Sequence, residues 1–353
     1  MLPQITEFLK YSDEPVVLAR GGRIVRLNGS AEELLGRGCE GRSVSQVFGE
    51  EIAGTQAPSF VAGAMVQGRL RTVRAFRMEG MQLFFLSRDD RDLAVMNDAS
   101  LAALRSSLMN LGLGTERGRQ RAEELGDEAL GDCFASISKQ YFLLRRIIAN
   151  SGVVYSALRG ELPLTLATVD LAELCRSTAE TVSLLRPGPE LRVSAPATLL
   201  LHADGRLIET MLLNLLSNCL LHAKGLGLVS ISLSETEQSA VLSVSDDGCG
   251  IPADRLHAVF NRYRCGFELS SQPLGAGLGL SVVRAVAARH GGTLLLESRE
   301  GQGTSVRVSL SRKLGGNPAL RGEPELSRCG MDALLTGLAD CLPDRCFDTK
   351  YLD

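Results

Sequence analysis

Alternating apolar and polar positions near the start of the chain predict a small domain built mainly from strands. Residues 12–28 contain two short β-type runs, "PVVLA" and "RIVRL", joined by a Gly-Gly turn. The next segment, "GSAEELLGR", is predicted to form a short helix capped by Ser30, with Gly36 just beyond its last turn. Further β-type runs at "GRLRTVRAFRM" and "MQLFFLSR" complete an α+β module, which we place at residues 1–92.

The apolar spacing becomes helical over residues 93–165. Four leucines in "ASLAALRSSLMNL" share one stripe, with spacings of three, four and three: Leu101, Leu104, Leu108 and Leu111. This pattern is typical of a helix that packs on another helix. A second helix is predicted over "LGDCFASISKQYFLLRRIIANSGVVYSAL", with the Gly-, Glu- and Arg-rich stretch "GLGTERGRQRAEELGDE" connecting the two as a hairpin. Because two helices cannot bury both apolar faces, we expect a homodimeric four-helix bundle.

Strands and helices are mixed over residues 166–314. An extended linker, "GELPLTLATVDL", ends at Asp170, which is a predicted helix cap. The tail, residues 315–353, carries one weak helical segment, "GMDALLTGLADCL", and is otherwise predicted to be loop-like or disordered. The chain is therefore expected to be an α+β multidomain protein.

Composition and charge exclude several classes of protein. The formal net charge of −3 gives no electrostatic reason to expect a nucleic-acid partner. No apolar run approaches the ~18 residues of a membrane span, and no signal pattern is present at the start, so a cytoplasmic protein is expected. The nine cysteines form no paired motif. Cys329, Cys341 and Cys346 in the tail are therefore expected to be thiols rather than zinc ligands.

The helical stretch "DGRLIETMLLNLLSNCLLHA" places two amides on one face, because Asn214 and Asn218 are four residues apart. Amide side chains on a core-facing helix carry a burial cost, so they need partners. Their oxygens are suitable ligands for Mg²⁺ with phosphate. The alternative is that both asparagines hydrogen-bond to neighbouring loops.

Three glycine-containing turns follow. "LSVSDDGCGIP" leads a strand into Asp246, whose carboxylate can accept a hydrogen bond from an adenine amino group; the alternative is an Asp-Gly hairpin turn. "LGAGLGLSVVRAVAARHGG" places glycines before a helix that begins near Ser281, and a helix N-terminus favours phosphate, although G-x-G-x-G alone is weak evidence. "GQGTSVRVSL" is a turn into a closing strand.

In this order and spacing, the four stretches resemble the ATP-binding domain of sensor histidine kinases, in the GHKL superfamily shared with DNA gyrase, Hsp90 and MutL. "NLLSN" resembles the asparagine box, "DDGCGIP" the first glycine box, "VFNRYR" the phenylalanine box and "GAGLGL" the second glycine box. The resemblance covers residues 100–312. It implies a two-layer α/β sandwich at residues 166–314 that binds ATP and Mg²⁺.

The resemblance also implies site residues. Asn218 and Asn214 would hold Mg²⁺ on the phosphates, and Asp246 would bind the adenine amino group. The rest of the implied ATP-binding set is His222, Gly248, Gly250, Ile251, Arg262, Arg264, Gly275, Gly277, Leu278, Gly279, Leu280 and Thr304. Leu221 departs from the family, where a Lys or Arg commonly contacts phosphate. Lys224, Arg262 or Arg264 are candidate substitutes.

The phosphoacceptor histidine is missing. In this family the first hairpin helix carries a box like H-E-L-R-T-P-L, and the segment here keeps Leu104, Arg105 and Leu108 in frame but has Ala102 at the acceptor position. No histidine precedes His202. A methyl group cannot supply the nucleophilic nitrogen that attacks the γ-phosphate, so self-phosphorylation on this helix is not expected.

Residues 12–95 resemble a PAS sensor module, so residues 1–92 are assigned as PAS-like. The sequence then predicts a two-component signalling protein of the histidine kinase type, a transferase family, that binds Mg-ATP and dimerises through residues 93–165. Its expected partner is a response regulator or another signalling kinase. The alternatives are a GHKL-type kinase that phosphorylates a partner in trans, or a non-catalytic, nucleotide-gated scaffold.

Overall fold

The structure is a computed structural model of the 353-residue chain. It describes residues 9, 12, 14–36, 38–57, 59–67, 69–78, 80–86, 98–222, 225–252, 278–314 and 331–347. The strands in these ranges are β1 (Val16–Arg20), β2 (Arg23–Leu27), β3 (Ser59–Val66), β4 (Arg69–Met78), β5 (Met81–Leu86), β6 (Ala167–Asp170), β7 (Glu190–Ser194), β8 (Leu200–Ala203), β9 (Leu228–Glu235), β10 (Ser239–Asp246), β11 (Leu294–Ser298) and β12 (Thr304–Ser311). The helices are α1 (Gly29–Leu35), α2 (Val44–Phe48), α3 (Glu50–Gly54), α4 (Asp98–Leu125), α5 (Glu128–Leu158), α6 (Leu171–Leu185), α7 (Gly205–His222), α8 (Gly279–Arg289) and α9 (Met331–Gly337).

The N-terminal module is an antiparallel sheet with the strand order β2-β1-β5-β4-β3, and α1, α2 and α3 follow one another between β2 and β3. The predicted Gly-Gly hairpin joins β1 to β2. Ser30 was wrongly expected to cap α1. The cap is Asn28, whose side-chain oxygen accepts hydrogen bonds from the backbone N–H groups of Ala31 (3.0 Å) and Val16 (2.9 Å). The same side chain therefore starts the helix and fixes it to the sheet.

The pattern of alternating residues did not predict β3, "SFVAGAMV". Phe60, Val61, Ala62, Ala64 and Val66 are all buried in this strand. A strand that is buried on both faces has a continuous apolar run rather than an alternating one, and this explains the missed prediction.

Helices α4 and α5 pack against each other as an antiparallel hairpin with a two-residue connection, residues 126–127. The stretch that was expected to connect them is helical up to Leu125, so that expectation was wrong. Arg119 forms ion pairs along the helix with Glu116 and Glu123. A Cβ atom on Gly118 would lie 2.2 Å from the Phe134 ring, so the glycine permits close packing of the two helices.

The C-terminal domain has two layers. Its sheet has the order β11-β12-β10-β9-β7, and β6 pairs with β8 separately. Alternate residues of β9, β10 and β12 share one core with α6, α7 and α8, so these helices cover one face of the sheet. As predicted, Asp170 caps α6: its side chain accepts hydrogen bonds from the N–H groups of Ala172 and Glu173. This is the two-layer α/β arrangement that the resemblance implies.

The two sheets are joined. β3 pairs antiparallel with β11, so ten of the twelve described strands form one sheet, β2-β1-β5-β4-β3-β11-β12-β10-β9-β7. Side chains cross the join in both directions: Leu295 of β11 is buried in the core of the N-terminal module, and Val61 of β3 is buried in the core of the C-terminal domain.

None of the described helices has the length and apolar content needed to cross a membrane. The described residues also contain no group of three His, Cys, Asp or Glu side chains that could hold a metal ion. Cys341 and Cys346 are buried, and desolvation raises the pKa of the Cys341 thiol to about 12. Both cysteines are therefore packed as neutral thiols in the described part of the tail.

Candidate nucleotide site

The asparagines of α7 face the beginning of α8. A Cβ atom on Gly279, the first residue of α8, would lie 3.1 Å from Asn214 Oδ1 and 3.4 Å from Asn218 Oδ1. Leu278 occupies the N-cap position, and no side chain of the described residues caps this helix. The backbone N–H groups of the first turn and the positive end of the helix dipole are thus next to both amides. The asparagine box and the second glycine box, predicted from separate stretches, meet at this point.

The two asparagines have different surroundings. Within the described residues, the Nδ2 atom of Asn218 is buried without a hydrogen-bond partner. Nδ2 is a hydrogen-bond donor, so a phosphate oxygen would satisfy it, and the amide oxygen of the same side chain is a suitable ligand for Mg²⁺. Asn214 is only 2% exposed, and its Oδ1 accepts hydrogen bonds from Arg146 Nη2 (3.2 Å) and Asn150 Nδ2 (3.0 Å) of α5. The alternative left open by the sequence, hydrogen bonding to neighbours, therefore applies to Asn214, with a helix rather than loops as the partner.

The first glycine box begins at the end of β10. Asp246 Oδ1 accepts a hydrogen bond from the Gly248 N–H at 3.0 Å. Desolvation raises the pKa of this half-buried carboxyl, and hydrogen bonds from Gly248 and Thr304 oppose the rise. The carboxylate lies at the strand end, where the sequence predicts contact with adenine.

Glycines are required where this box packs against the "GQGT" turn. Gly250 has a φ of +64°, and a Cβ atom there would lie 2.0 Å from the Arg299 carbonyl oxygen. A Cβ atom on Gly303 would lie 1.9 Å from the Asp246 carbonyl oxygen. The two loops therefore pack backbone on backbone, which no larger residue allows. This contact explains why the fourth stretch belongs to the site.

The other predicted residues lie around this centre. The Ile251 N–H donates to Ser298 Oγ at 2.8 Å, and that hydroxyl lies 2.9 Å from Thr304 Oγ1. Leu280 is partly buried against the domain core. His222 is exposed at the end of α7, and its carbonyl oxygen lies 3.7 Å from Cys249 Sγ. The positions outside the described residues are Lys224, Arg262, Arg264, Gly275 and Gly277, together with the phenylalanine box.

His290 of the "HGG" segment has a structural role. Its Nδ1 lies 2.8 Å from the Val286 carbonyl oxygen, and its Nε2 accepts a hydrogen bond from the Asp204 N–H at 3.1 Å. Burial lowers the pKa of the imidazole, which is therefore neutral at pH 7. The ring ties the end of α8 to the residue that precedes α7.

Three functional candidates were missed from the sequence: Arg146, Asn150 and Asp340. Arg146 and Asp340 form an ion pair, and their side chains are only 7% and 8% exposed. Arg146 and Asn150 are four residues apart on the apolar face of α5. A buried arginine and amide at that spacing require partners, and this could have drawn attention to them. The identity of the partners depends on the fold.

Ala102, which the resemblance aligns with the acceptor position, is exposed on α4, and so are Ser106 and Ser107. Leu108 is buried in the hairpin, whereas Leu104 and Leu111 are 42% and 44% exposed. The predicted leucine stripe is therefore only partly covered within one chain.

Known protein families and proteins are similar to the part of the chain that contains this site. A family profile described as "Histidine kinase-, DNA gyrase B-, and HSP90-like ATPase" matches residues 203–314. The sensor histidine kinase ZraS of Escherichia coli (strain K12) is 35% identical over 157 residues, which is 42% of this chain and 33% of ZraS. The sensor-like histidine kinase SenX3 of Mycobacterium tuberculosis (strain ATCC 25618 / H37Rv) is 34% identical over 143 residues, 39% of this chain and 35% of SenX3. The matched part is about a third of the length of these curated relatives.

Solved structures of histidine kinases are also similar. The mycobacterial sensor histidine kinase MprB aligns with a TM-score of 0.35 and 28% identity, over 42% of this chain and 97% of that chain. Full-length ShkA in complex with AMPPNP aligns with a TM-score of 0.48 and 22% identity, over 67% of this chain and 49% of that chain. From the family profile, the sequence relatives and the converging motifs, we conclude that this chain carries a GHKL-type ATP-binding domain of the histidine kinase family.

Proposed function

We propose that the chain is a cytoplasmic, histidine kinase-like two-component signalling protein that binds Mg-ATP between α7 and α8. The observation that carries the proposal is the convergence of Asn218, whose buried Nδ2 has no partner among the described residues, with the uncapped N-terminus of α8 at Gly279. The amide oxygen of Asn218 would hold Mg²⁺, and the metal would neutralise phosphate charge. The N–H groups of α8 would receive the phosphates, and Asp246 the adenine amino group.

The hairpin supports a homodimer. Large apolar residues are exposed at seven-residue spacing on one face of each helix: Leu104 and Leu111 on α4, and Ile137 and Leu144 on α5, with exposed fractions between 42% and 44%. A second copy that covers these residues would form the four-helix bundle, since isolated hairpins leave such faces in water. Residues 93–165 are the proposed dimerisation segment.

The N-terminal module supports a sensor role. The strand order β2-β1-β5-β4-β3 with short helices between β2 and β3 is consistent with the PAS-like assignment. The module reaches the nucleotide site through α8, because Arg284 of this helix hydrogen-bonds Thr72 of β4. A conformational change in the module would therefore be transmitted to α8, whose N-terminus lies next to Asn218.

Self-phosphorylation on α4 is not part of the proposal, since Ala102 replaces the acceptor. Transfer in trans to a partner protein is the second candidate, favoured by the retained asparagine and glycine boxes. A response regulator or a second kinase would be the partner in either case.

The test is incubation of the purified chain with γ-labelled ATP and Mg²⁺, alongside a binding measurement with a fluorescent ATP analogue. We expect binding without label on the chain, and loss of binding in Asn218→Ala. Leu184→Ala, at a 76% exposed position on α6, is the control and should bind normally. Acid-labile, base-stable label would contradict the assignment of Ala102 as a lost acceptor. Absence of nucleotide binding would contradict the proposed function.

A further inference from the structure

Residues 331–347, named here the C-terminal clasp, fasten the hairpin to the ATP-binding domain. The clasp contains α9, a 3₁₀ turn, Asp344–Phe347, and the residues 338–343 between them. Its fully buried side chains include Leu335, Leu338 and Phe347, which belong to the same core as α5 and α7. The Phe347 ring lies 5.4 Å from that of Phe142 on α5, measured between centroids. The described part of the tail is therefore an integral part of the core.

The clasp also reaches the nucleotide site through a chain of polar contacts. Asp340 of the clasp forms an ion pair with Arg146 of α5 and accepts a hydrogen bond from Ser217 of α7 at 2.9 Å. Arg146 in turn donates to Ser217 Oγ at 3.0 Å and to Asn214 Oδ1 at 3.2 Å. Asp340 thus holds the guanidinium against the amide of the asparagine box.

In this arrangement, both lone pairs of the Asn214 amide oxygen accept hydrogen bonds. The amide oxygen has two lone pairs, and Arg146 and Asn150 both donate to it. A metal ion cannot ligate an oxygen whose lone pairs are occupied, and a buried guanidinium at hydrogen-bond distance repels a divalent cation. With the clasp docked, only Asn218 of the two asparagines is available.

We propose that the C-terminal clasp is an intramolecular inhibitor of the nucleotide site: docking of Asp340 on Arg146 competes with binding of Mg-ATP at Asn214. This inference rests on the proposed function, because it concerns regulation of the same site. Nucleotide binding favours release of the clasp, and release of the clasp favours nucleotide binding. The two effects are reciprocal, as for any pair of linked equilibria.

The first experiment uses the unmodified chain. Hydrogen exchange of residues 331–347 is measured with and without Mg-ATP, and binding is followed in the same samples by a fluorescent ATP analogue. We expect faster exchange in the clasp once nucleotide is bound. Unchanged or slower exchange in the clasp at saturating nucleotide would overturn the inference.

The second experiment measures affinity for Mg-ATP in Asp340→Asn and in the doubly neutral Arg146→Gln/Asp340→Asn chain. Asp340→Asn alone leaves the buried charge of Arg146 without its partner, which can destabilise the fold. The double variant removes both charges, so its affinity can be measured even where the single variant does not fold. Both are expected to bind more tightly by about fivefold or more, the lower end of typical couplings. Asp132→Asn is the matched control, because Asp132 is exposed on α5 and lies outside the clasp, and its affinity should stay within about twofold.

The outcomes separate the two proposals. Normal binding by all chains with equal affinity would overturn the inhibitory role of the clasp and leave the proposed function intact. Weaker binding in the double variant would also overturn it, because Arg146 would then contribute to phosphate binding. Failure of every chain to bind nucleotide would overturn the proposed function and the clasp together.

Discussion

The ATP-binding domain is attached to the rest of the chain at two junctions of opposite character. At the sheet junction, residues 61–63 of β3 pair with residues 294–296 of β11. Leu295 is buried in the core of the N-terminal module, and Val61 is buried in the core of the ATP-binding domain. At the clasp junction, residues 331–347 are held to α5 by three ion pairs: Asp332–Arg145, Asp340–Arg146 and Asp344–Lys139. The first junction depends on backbone pairing and apolar burial, and the second adds individual charges to a buried apolar surface.

Because the two junctions are held by different contacts, they respond differently to substitution. Backbone pairing does not depend on the identity of single side chains, so the sheet junction suits a fixed mechanical connection. Charged contacts depend on a few side chains and on their partners, so single substitutions can release them. The clasp junction is therefore the better candidate for a switch, and the sheet junction for transmission.

The largest expected effect is at the buried charge pair of the clasp. Arg146→Ala leaves Asp340 buried without its partner, and we expect the free energy of unfolding to fall by about 3–5 kcal/mol. Urea denaturation measures this loss. Arg146→Met/Asp340→Leu, which replaces both charges by apolar side chains, should recover most of it. A double variant no more stable than the single one would contradict a charge-based junction.

The sheet junction is tested by Leu295→Ala. Leu295 is 1% exposed and packs in the core of the N-terminal module although it belongs to the ATP-binding domain. We expect a loss of about 2–5 kcal/mol in the free energy of unfolding, together with faster hydrogen exchange in β1–β5. Leu184→Ala, at an exposed leucine, is the control and should cost less than about 0.5 kcal/mol. Equal losses in the two variants would show that Leu295 does not join the cores.

A smaller effect is expected at the exposed ion pair of the clasp. Arg145 contacts Asp332 at 2.6 Å, but the two side chains are 31% and 65% exposed. Solvent screening then limits the loss in Arg145→Ala to about 1 kcal/mol or less, and added salt should reduce it further. Denaturation at low and high ionic strength measures both. A loss as large as that of Arg146→Ala would remove the distinction between buried and exposed contacts of the clasp.

The pH dependence should have opposite signs at the two junctions. Desolvation raises the pKa of Glu51, which accepts a hydrogen bond from Thr293 across the sheet junction at 2.7 Å. The folded chain therefore binds this proton more readily than the unfolded chain. Its contribution to stability decreases as pH rises from 4.5 through the raised pKa. Hydrogen bonds from Lys139 and Ser136 lower the pKa of Asp344, so its contribution is present above pH 3.8 and is lost as pH falls further.

Measurements of the free energy of unfolding as a function of pH test both predictions. From pH 7 to pH 4.5, the free energy of unfolding of the unmodified chain should rise relative to that of Glu51→Gln. Over the same interval, the curve of Asp344→Asn should run parallel to that of the unmodified chain. Below pH 3.8, the difference between the unmodified chain and Asp344→Asn should shrink. Parallel curves for the unmodified chain and Glu51→Gln over the first interval would contradict the role of burial at Glu51.

Much of the fold could be predicted because local signals were strong. The Gly-Gly hairpin, the cap at Asp170 and the amphipathic helices follow from turn chemistry and periodicity. Segment 112–125 was missed because its glycines suggested a connection, and the fold explains two of them: Gly112 faces the Tyr141 ring and Gly118 faces the Phe134 ring. β3 was missed because both of its faces are buried, one side chain even in the core of the other domain, so its apolar residues do not alternate with polar ones.

The chemical groups of the candidate site can be listed from the sequence alone: the two amides of α7, the carboxylate of Asp246 and the glycine turns. Which groups these residues meet depends on the tertiary fold. Asn214 meets Arg146 across 68 residues of chain, Ser217 meets Asp340 across 123, and Arg284 meets Thr72 across 212. Motif chemistry is encoded locally, whereas contacts between distant segments depend on how apolar faces pack together. No periodicity within a single segment records that packing.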